Sequence, residues 1–296
     1  KCGKGLTRAR TENQKYYLKE GITWSYIATG SFSANYYSSG YLWDVHGSSV
    51  FASDHENLMT YLGFLNSCVG NFMLQIINPT LSFQVENILI LPIIIEENFK
   101  SVVISLVEEN ISLSRIDWNN FETSWGFITH PMLNRQVPFA EKNLATLSLQ
   151  SKGIELEKCF ETMQFDYETR LNKILENEVE LNRIFIDIYG LQDELKPEVE
   201  DKDVTIRRAD LGREIRSLIS YAVGCMFGRY SLDVDGLAYA GGDWDGSKYK
   251  TFIPDADNCI PITDEEYFED DIVGRLVAFI RTVYGAETLE ENLDFI

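Results

Sequence analysis

Apolar positions change their spacing several times along the chain, and each change marks a different element. Between residues 21 and 52 aromatic, β-branched and small polar residues come in short groups: Ile-Thr-Trp-Ser-Tyr-Ile at 22–27, Phe-Ser-Ala-Asn-Tyr-Tyr at 32–37, Tyr-Leu-Trp-Asp-Val-His at 41–46 and Ser-Ser-Val-Phe at 48–51. Groups of this kind, broken by glycine, predict short strands joined by turns. Leu58, Leu62 and Leu65 then recur at helical steps behind Ser53 and Asp54, either of which suits a helix cap. The apolar stretch 84–95, ended by Pro92, predicts a buried strand, and residues 98–110 a second amphipathic helix.

Residues 114–138 carry Trp118, Phe121, Trp125 and Phe127 with two prolines, and read as a packed aromatic connector. Within 143–189, Leu171, Ile174, Leu175, Leu181, Ile184, Phe185 and Ile188 form a helix-spaced stripe. Glu178 and Asn182 interrupt its heptad, which favours a helix packed on its own domain over an intermolecular coiled coil. A charged linker at 196–203 precedes another helix marked by Ile215, Leu218, Ile219, Ala222, Val223, Met226 and Phe227. Residues 233–257 are rich in Asp, Gly and Tyr and read as loop, and 264–284 as a helix followed by an acidic tail. The expected class is α+β: a small mixed strand and helix domain over 1–112, the aromatic connector over 113–140, and a mainly helical, acidic region over 141–296.

A length of 296 residues suits about two domains. The longest apolar run, 88–95, is interrupted by Pro92 and falls far short of the ~20 residues a membrane-spanning helix needs, so no membrane partner is expected. Lys1 is neither an initiator methionine nor the start of an apolar leader, and the chain reads as begun inside a longer protein. Cys2, Cys68, Cys159, Cys225 and Cys259 are widely spaced, which disfavours a zinc site or a disulfide framework and suits a reducing cytoplasm.

The net charge of -20 argues against nucleic acid, because affinity for DNA rests on Lys and Arg neutralising phosphates. The charge is uneven, however. Residues 1–100 hold 7 basic against 8 acidic side chains, and 101–296 hold 19 against 38. In the first part Lys1, Lys4, Arg8, Arg10, Lys15 and Lys19 form a basic arm opposed only by Glu12 and Glu20. Such an arm suits either a phosphate backbone or a solvated terminus.

Chemistry-bearing motifs are sparse. Methylation of an adenine amino group uses an Asp/Asn-Pro-Pro-aromatic loop that holds a base flipped out of the duplex. No two of the seven prolines are adjacent, and the nearest fragment, Asn-Pro-Thr at 78–80, lacks the second proline and the aromatic. No glycine-rich strand-to-helix turn for a methionine-derived cofactor stands out, so no catalytic and no cofactor-binding residue is expected in this chain. Asp233, Asp235, Asp243, Asp245, Asp255 and Asp257 do not match a calcium-loop pattern and read as a solvated acidic loop. His46, His55 and His130 stand apart from one another, no metal site is expected, and Ser67-Cys68 lacks a nearby base.

Three segments carry a resemblance. Leu-Gly-Phe-Leu-Asn-Ser at 62–67, followed by Asn-Pro-Thr at 78–80 and Val-Glu-Asn-Ile-Leu-Ile-Leu-Pro-Ile at 85–93, resembles the BREX-type enzymes named next and is also similar to the close of a target-recognition domain in restriction-modification specificity subunits. Asp-Trp-Asn-Asn-Phe-Glu-Thr-Ser-Trp-Gly-Phe at 117–127 with His130-Pro131, and Ser-Leu-Ile-Ser-Tyr-Ala-Val-Gly-Cys-Met-Phe-Gly-Arg-Tyr-Ser at 217–231 with Asp-Gly-Leu-Ala-Tyr-Ala-Gly-Gly at 235–242, resemble the BREX-type (PglX-like) adenine-specific DNA methyltransferases. The resemblance implies the target-recognition and C-terminal part of a phage-defence enzyme. Its parent would transfer a methyl group from S-adenosylmethionine to an adenine amino group in double-stranded DNA. The expected partners are that DNA, the catalytic domain of the same polypeptide and other defence proteins.

Recognition would then fall to Lys4, Arg8, Arg10, Lys15 and Lys19 at phosphates, and to Ser31, Ser33, Asn35, Tyr36 and Tyr37 at bases or sugar. Trp24 and Trp43 suit base stacking, although aromatics in strands more often belong to a core. An acidic protein-interaction scaffold is the competing reading. An acidic DNA mimic fits the charge but neither the basic arm nor the three segments.

Overall fold

The computed structural model describes residues 13–27, 30–44, 46–133, 153–200, 203–204, 206–268 and 270–296. They form a small antiparallel sheet and eight α-helices, an α+β fold as the hydrophobic pattern implies. The chain divides into two compact units, one of residues 1–112 with 174–204 and one of 113–173 with 205–296.

In the first unit β1 (Gly21–Trp24) lies between β2 (Ala34–Tyr37) and β3 (Ser49–Val50), and both pairings are antiparallel. Successive side chains of a strand point to opposite faces. Register places Ile22 opposite Tyr36 and Val50, and Trp24 opposite Ala34, and this face is the buried one. The Trp24 indole N–H donates to the Phe83 carbonyl at 2.9 Å, so Trp24 is a satisfied core residue, the commoner lot of a strand aromatic. The group at 41–46 is not a strand in its described residues. The Asp44 carboxylate accepts the backbone N–H groups of His46 and Gly47 at 2.9 and 3.1 Å, which turns the chain where a ladder would have to continue.

Helix α1 (His55–Asn66) starts at Asp54, whose carboxylate accepts the Asn57 N–H at 2.8 Å. Helix α2 (Cys68–Ile77) follows after one residue: the Ser67 hydroxyl donates to the Phe64 carbonyl at 2.7 Å and accepts the Gly70 N–H at 3.1 Å. Ser67 thereby ends one helix and caps the next. The buried strand expected within 84–95 is instead α3 (Val85–Leu89) and irregular chain. Asn87 Oδ1 accepts the Gln84 N–H at 2.9 Å and closes a helical turn, leaving Val85, Leu89 and Ile90 exposed. Helix α4 (Glu97–Trp118) outruns the amphipathic segment expected at 98–110.

Helix α5 (Leu156–Tyr189) contributes to both units. Its Leu181, Ile184, Phe185 and Ile186 complete the first core around Leu58, Phe64, Leu65 and Val69. Asn182, which interrupts the heptad, is buried: its Oδ1 accepts the Cys68 N–H at 2.8 Å and its Nδ2 donates to the Pro197 carbonyl at 3.1 Å. Gly63 lets α1 come close, since a Cβ there would lie 3.0 Å from Val107, 3.3 Å from Val103 and 3.5 Å from Phe185.

The second unit packs the start of α5 with α6 (Leu211–Met226), α7 (Ile272–Tyr284) and α8 (Leu289–Phe295). Phe127, His130 and Met132 from the aromatic segment are buried in it. Helix α7 begins at Ile272 because Asp271 accepts the N–H groups of Gly274 and Phe268 at 2.7 and 2.9 Å, bonds that pull its carboxyl down to about 2. The acidic tail is partly helix α8, and its Asn292 accepts the Leu156 N–H at 2.7 Å and donates to the Ile154 carbonyl at 2.8 Å.

Candidate nucleic-acid interface

Alternation along the three strands sorts the residues singled out by sequence. With Ile22, Trp24, Ala34 and Tyr36 committed to the core face, Gly21, Thr23, Ser33, Asn35, Tyr37 and Ser49 fall on the opposite, open face. The register aligns Asn35, Thr23 and Ser49 in one row across β2, β1 and β3. The row is polar and carries no charge. Ser33 and Asn35 are exposed, and so is Ser31 in the bend before β2.

Tyr37 closes one end of this face. A Cβ on Gly21 would meet the Tyr37 hydroxyl at 2.6 Å, so the ring lies across β1 where only glycine leaves room for it. Burial raises its phenol above the ordinary value. Tyr36 points the other way: its hydroxyl donates to Glu20 at 2.8 Å, and its ring meets that of His55 edge-on at 6.2 Å. Of the five polar and aromatic residues expected at bases, Tyr36 therefore belongs to the core side, while Ser33, Asn35 and Tyr37 share the open side of the sheet. Thr23 and Ser49 join the row although nothing in the sequence singles them out. Their placement depends on strand register, and the sequence around each shows only a short polar and apolar mixture.

Beyond β3 lies an aromatic cluster. Tyr16 stacks on Phe51 with centroids 4.7 Å apart, Phe51 meets Trp43 at 4.9 Å, and Trp43 takes the edge of Tyr17 at 5.3 Å. Lys15 and Lys19 set their ammonium groups 4.8 and 5.9 Å from the Tyr16 ring centre, within cation-π range. The cluster joins the basic segment to the residue that follows β3. Trp43 is half-buried in it. Lys4, Arg8 and Arg10 lie outside the described residues.

His55 links β2 to the helices. Its ring nitrogens lie 2.9 Å from Glu20 and 3.3 Å from Glu108, and the hydrogen bond to Glu20 raises its pKa above 6.5. Cys68 is half-buried, and burial pushes its thiol up to about 11, away from nucleophilic use near neutral pH. In the loop of the second unit, Asp233 accepts from the backbone of Lys250 and Thr251 at 2.7 and 2.9 Å, and Asp245 from Ser247 at 3.0 Å. These carboxylates shape the loop. Among the described residues no group of three or more His, Cys, Asp or Glu side chains is arranged to hold a metal ion, and no helix is long and apolar enough to cross a membrane.

No protein-family profile matches the chain. Nearly its whole length aligns with part of two much longer curated proteins, both adenine-specific methyltransferases. It is 47% identical over 294 residues to the adenine-specific methyltransferase PglX of Lacticaseibacillus casei (strain Zhang), covering 99% of this chain and 23% of that protein. It is 36% identical over 310 residues to the adenine-specific methyltransferase BrxX of Escherichia coli O9:H4 (strain HS), covering 98% of this chain and 24% of that protein. The chain thus corresponds to a segment of these PglX-like proteins, in accord with the resemblance read from its motifs, and it spans about a quarter of their length.

Proposed function

We propose that this chain is the DNA target-recognition portion of a BREX-type adenine-specific methyltransferase, acting in phage defence. Alignment along almost the whole chain with two adenine-specific methyltransferases carries the reading. The open sheet face supplies a surface with suitable chemistry. Asn35 has the amide that pairs bidentately with the N6 and N7 edge of adenine, and Ser33, Thr23 and Ser49 are hydroxyls that accept or donate at any base edge. Lys15 and Lys19, with Lys4, Arg8 and Arg10 of the same segment, would neutralise phosphates and set the register of the duplex. Ser31 and Tyr37 border the reading row and suit sugar contacts.

The methyl donor, S-adenosylmethionine, belongs to the rest of the parent polypeptide in this reading. The described strand-to-helix junction from Val50 to His55 has no glycine, and Asp54 caps the helix start there with its own carboxylate, so this junction offers the donor no glycine turn. The partners are double-stranded DNA, the catalytic domain in cis and other defence proteins. The acidity of residues 101–296 disfavours DNA on their surfaces.

Fluorescence titration of a labelled duplex at ~50 and ~200 mM salt tests the proposal. Binding that weakens steeply with salt, and weakens further on replacing Arg8 and Arg10 with alanine, is the expected result. Absence of binding to any duplex at the lower salt, both for this segment and for the full-length parent, would overturn it.

A further inference from the structure

The second unit carries an aromatic face that DNA recognition leaves unused. Phe227 follows the last residue of helix α6 as its C-cap, and the chain turns back so that Ala238 N–H donates to the Arg229 carbonyl at 2.9 Å. This turn forms an open cleft of about 330 Å³ lined by Phe227, Arg229, Leu237, Tyr239 and Ala240. Its volume lies at the small end of the ~300–1,000 Å³ typical of binding pockets, enough for one large side chain. Phe227 and Leu237 are exposed there.

Two extensions widen the apolar surface. Gly236 N–H donates to the Ile128 carbonyl at 2.8 Å, which sets exposed Ile128 close to Leu237 in the fold. On another side Tyr239 meets Trp244 edge-on at 5.2 Å, and Trp244 stacks on buried Tyr249 at 4.8 Å while half its surface stays open. The lower face of Trp244 is therefore braced. A Cβ on Gly228, whose φ is +74°, would lie 2.7 Å from the indole, so glycine is required under it. Solvent-exposed apolar side chains held rigidly in one area mark an interaction surface.

Charge identifies the partner's chemistry. Residues 228–257 hold six aspartates against three basic side chains, and Asp243 and Asp245 directly flank Trp244. Lys248 is turned inward, donating to the Ala238 carbonyl at 2.8 Å. A partner that inserts an apolar side chain between Phe227 and Leu237 would meet Arg229 in the cleft, held 5.5 Å over the Tyr230 ring, and at the rim the Trp244 indole within a net acidic loop, which favours ammonium or guanidinium groups there.

We propose that this face docks a protein segment in which a large apolar side chain is flanked by Lys or Arg. The inference does not depend on the DNA reading, since its residues lie in the second unit and its ligand carries the opposite charge to DNA.

A labelled peptide with a Leu-Trp core between lysines is the probe, compared by fluorescence anisotropy with the same core between glutamates and with a lysine peptide lacking the core. The first is expected to bind at least about tenfold tighter than either control. Leu237→Glu, at an exposed site, is expected to remove that difference, and the pair Asp235→Asn with Asp243→Asn to weaken it severalfold. Circular dichroism and unchanged salt-dependent duplex binding would show that these variants remain folded and that the DNA reading stands separately. Equal binding of the basic peptides with and without the core, or binding indifferent to Leu237→Glu in a folded variant, would overturn the proposal. So would self-association of the chain that Leu237→Glu abolishes, because it would make the occupant a second copy.

Discussion

Asn66 grips the edge of the sheet at Ala34: its Oδ1 accepts the Ala34 N–H at 2.8 Å, and its Nδ2 donates to the Ala34 carbonyl at 2.9 Å. One side chain at the end of α1 thus satisfies both outward backbone groups of an edge-strand residue, much as another strand would. The next residue is Asn35, at one end of the open polar row. The Leu-Asn-Ser run at 65–67 therefore has a mechanical meaning: Leu65 fills the core, Asn66 fastens the strand, and Ser67 joins the two helices.

Replacing Asn66 with alanine is expected to cost about 1–2 kcal/mol, since two hydrogen bonds disappear and the Ala34 groups keep only solvent. Asn66→Asp retains the acceptor but sets a carboxylate oxygen against the Ala34 carbonyl, so its loss should ease as pH falls and the carboxyl protonates into a donor. Urea denaturation followed by tryptophan fluorescence at two pH values checks this, and an Asn66→Asp loss indifferent to pH would contradict the two-bond grip.

Glycine packing orders a second pair of variants. Gly63→Ala places a methyl group 3.0 Å from Val107 and should cost about 1–3 kcal/mol through overpacking, offset in part by alanine's helix preference. Gly70→Ala would set its Cβ 2.2 Å from the Phe64 carbonyl oxygen, a backbone atom held by Ser67. Its loss should be the larger. Thermal melts of both check the ranking.

Lys15 and Lys19 should act on affinity and Asn35 on selectivity. Removing either lysine is expected to lower the slope of log affinity against log salt by roughly 0.9 for each phosphate no longer neutralised, with little change in sequence preference. Asn35→Ala should leave the slope alone and relax discrimination at one base pair by about 1–3 kcal/mol. Competition with duplexes varied at single positions separates the two effects.

His55 should make the first unit more stable in mild acid. Its folded pKa is raised, chiefly by the hydrogen bond to Glu20, so its contribution is present in full below 6.5 and is lost as pH rises through the raised value. The group is partly exposed and screened, which limits the effect to about 0.5 kcal/mol. His55→Gln should therefore be less stable than the parent near pH ~6 and closer to it near pH ~9. A gap that widens toward alkaline pH would contradict the arrangement.

Asn292→Ala tests the tail of the second unit. The side chain is buried and ties the start of α5 to α8 through Leu156 and Ile154, so its loss is expected to cost about 1–3 kcal/mol. Hydrogen exchange should show early opening of residues 154–160, with little change in the sheet.

Local patterns are legible where one physical rule dominates. Asp54 before Leu58, Leu62 and Leu65 announces α1, and the stripe from Leu171 to Ile188 announces α5. The stretch 84–95 misleads because apolar composition alone does not separate a buried strand from an exposed short helix, and Asn87 decides for the helix. The division of α5 is likewise hidden. Its stripe shows which side is buried, but Leu181 to Tyr189 join a core whose other buried residues lie more than seventy positions earlier.

By itself the sequence determined the α+β class, most helices, the acidic excess after residue 100 and the kinship with PglX-like methyltransferases, because composition, periodicity and residue identity are local properties of the chain. Only the tertiary structure decided that Thr23, Asn35 and Ser49 stand in one row while Tyr36 and Trp24 turn inward, and that Phe227, Leu237, Tyr239 and Trp244 share an exposed face. Strand register and loop return bring distant residues together through hydrogen bonds whose partners no short window of sequence contains.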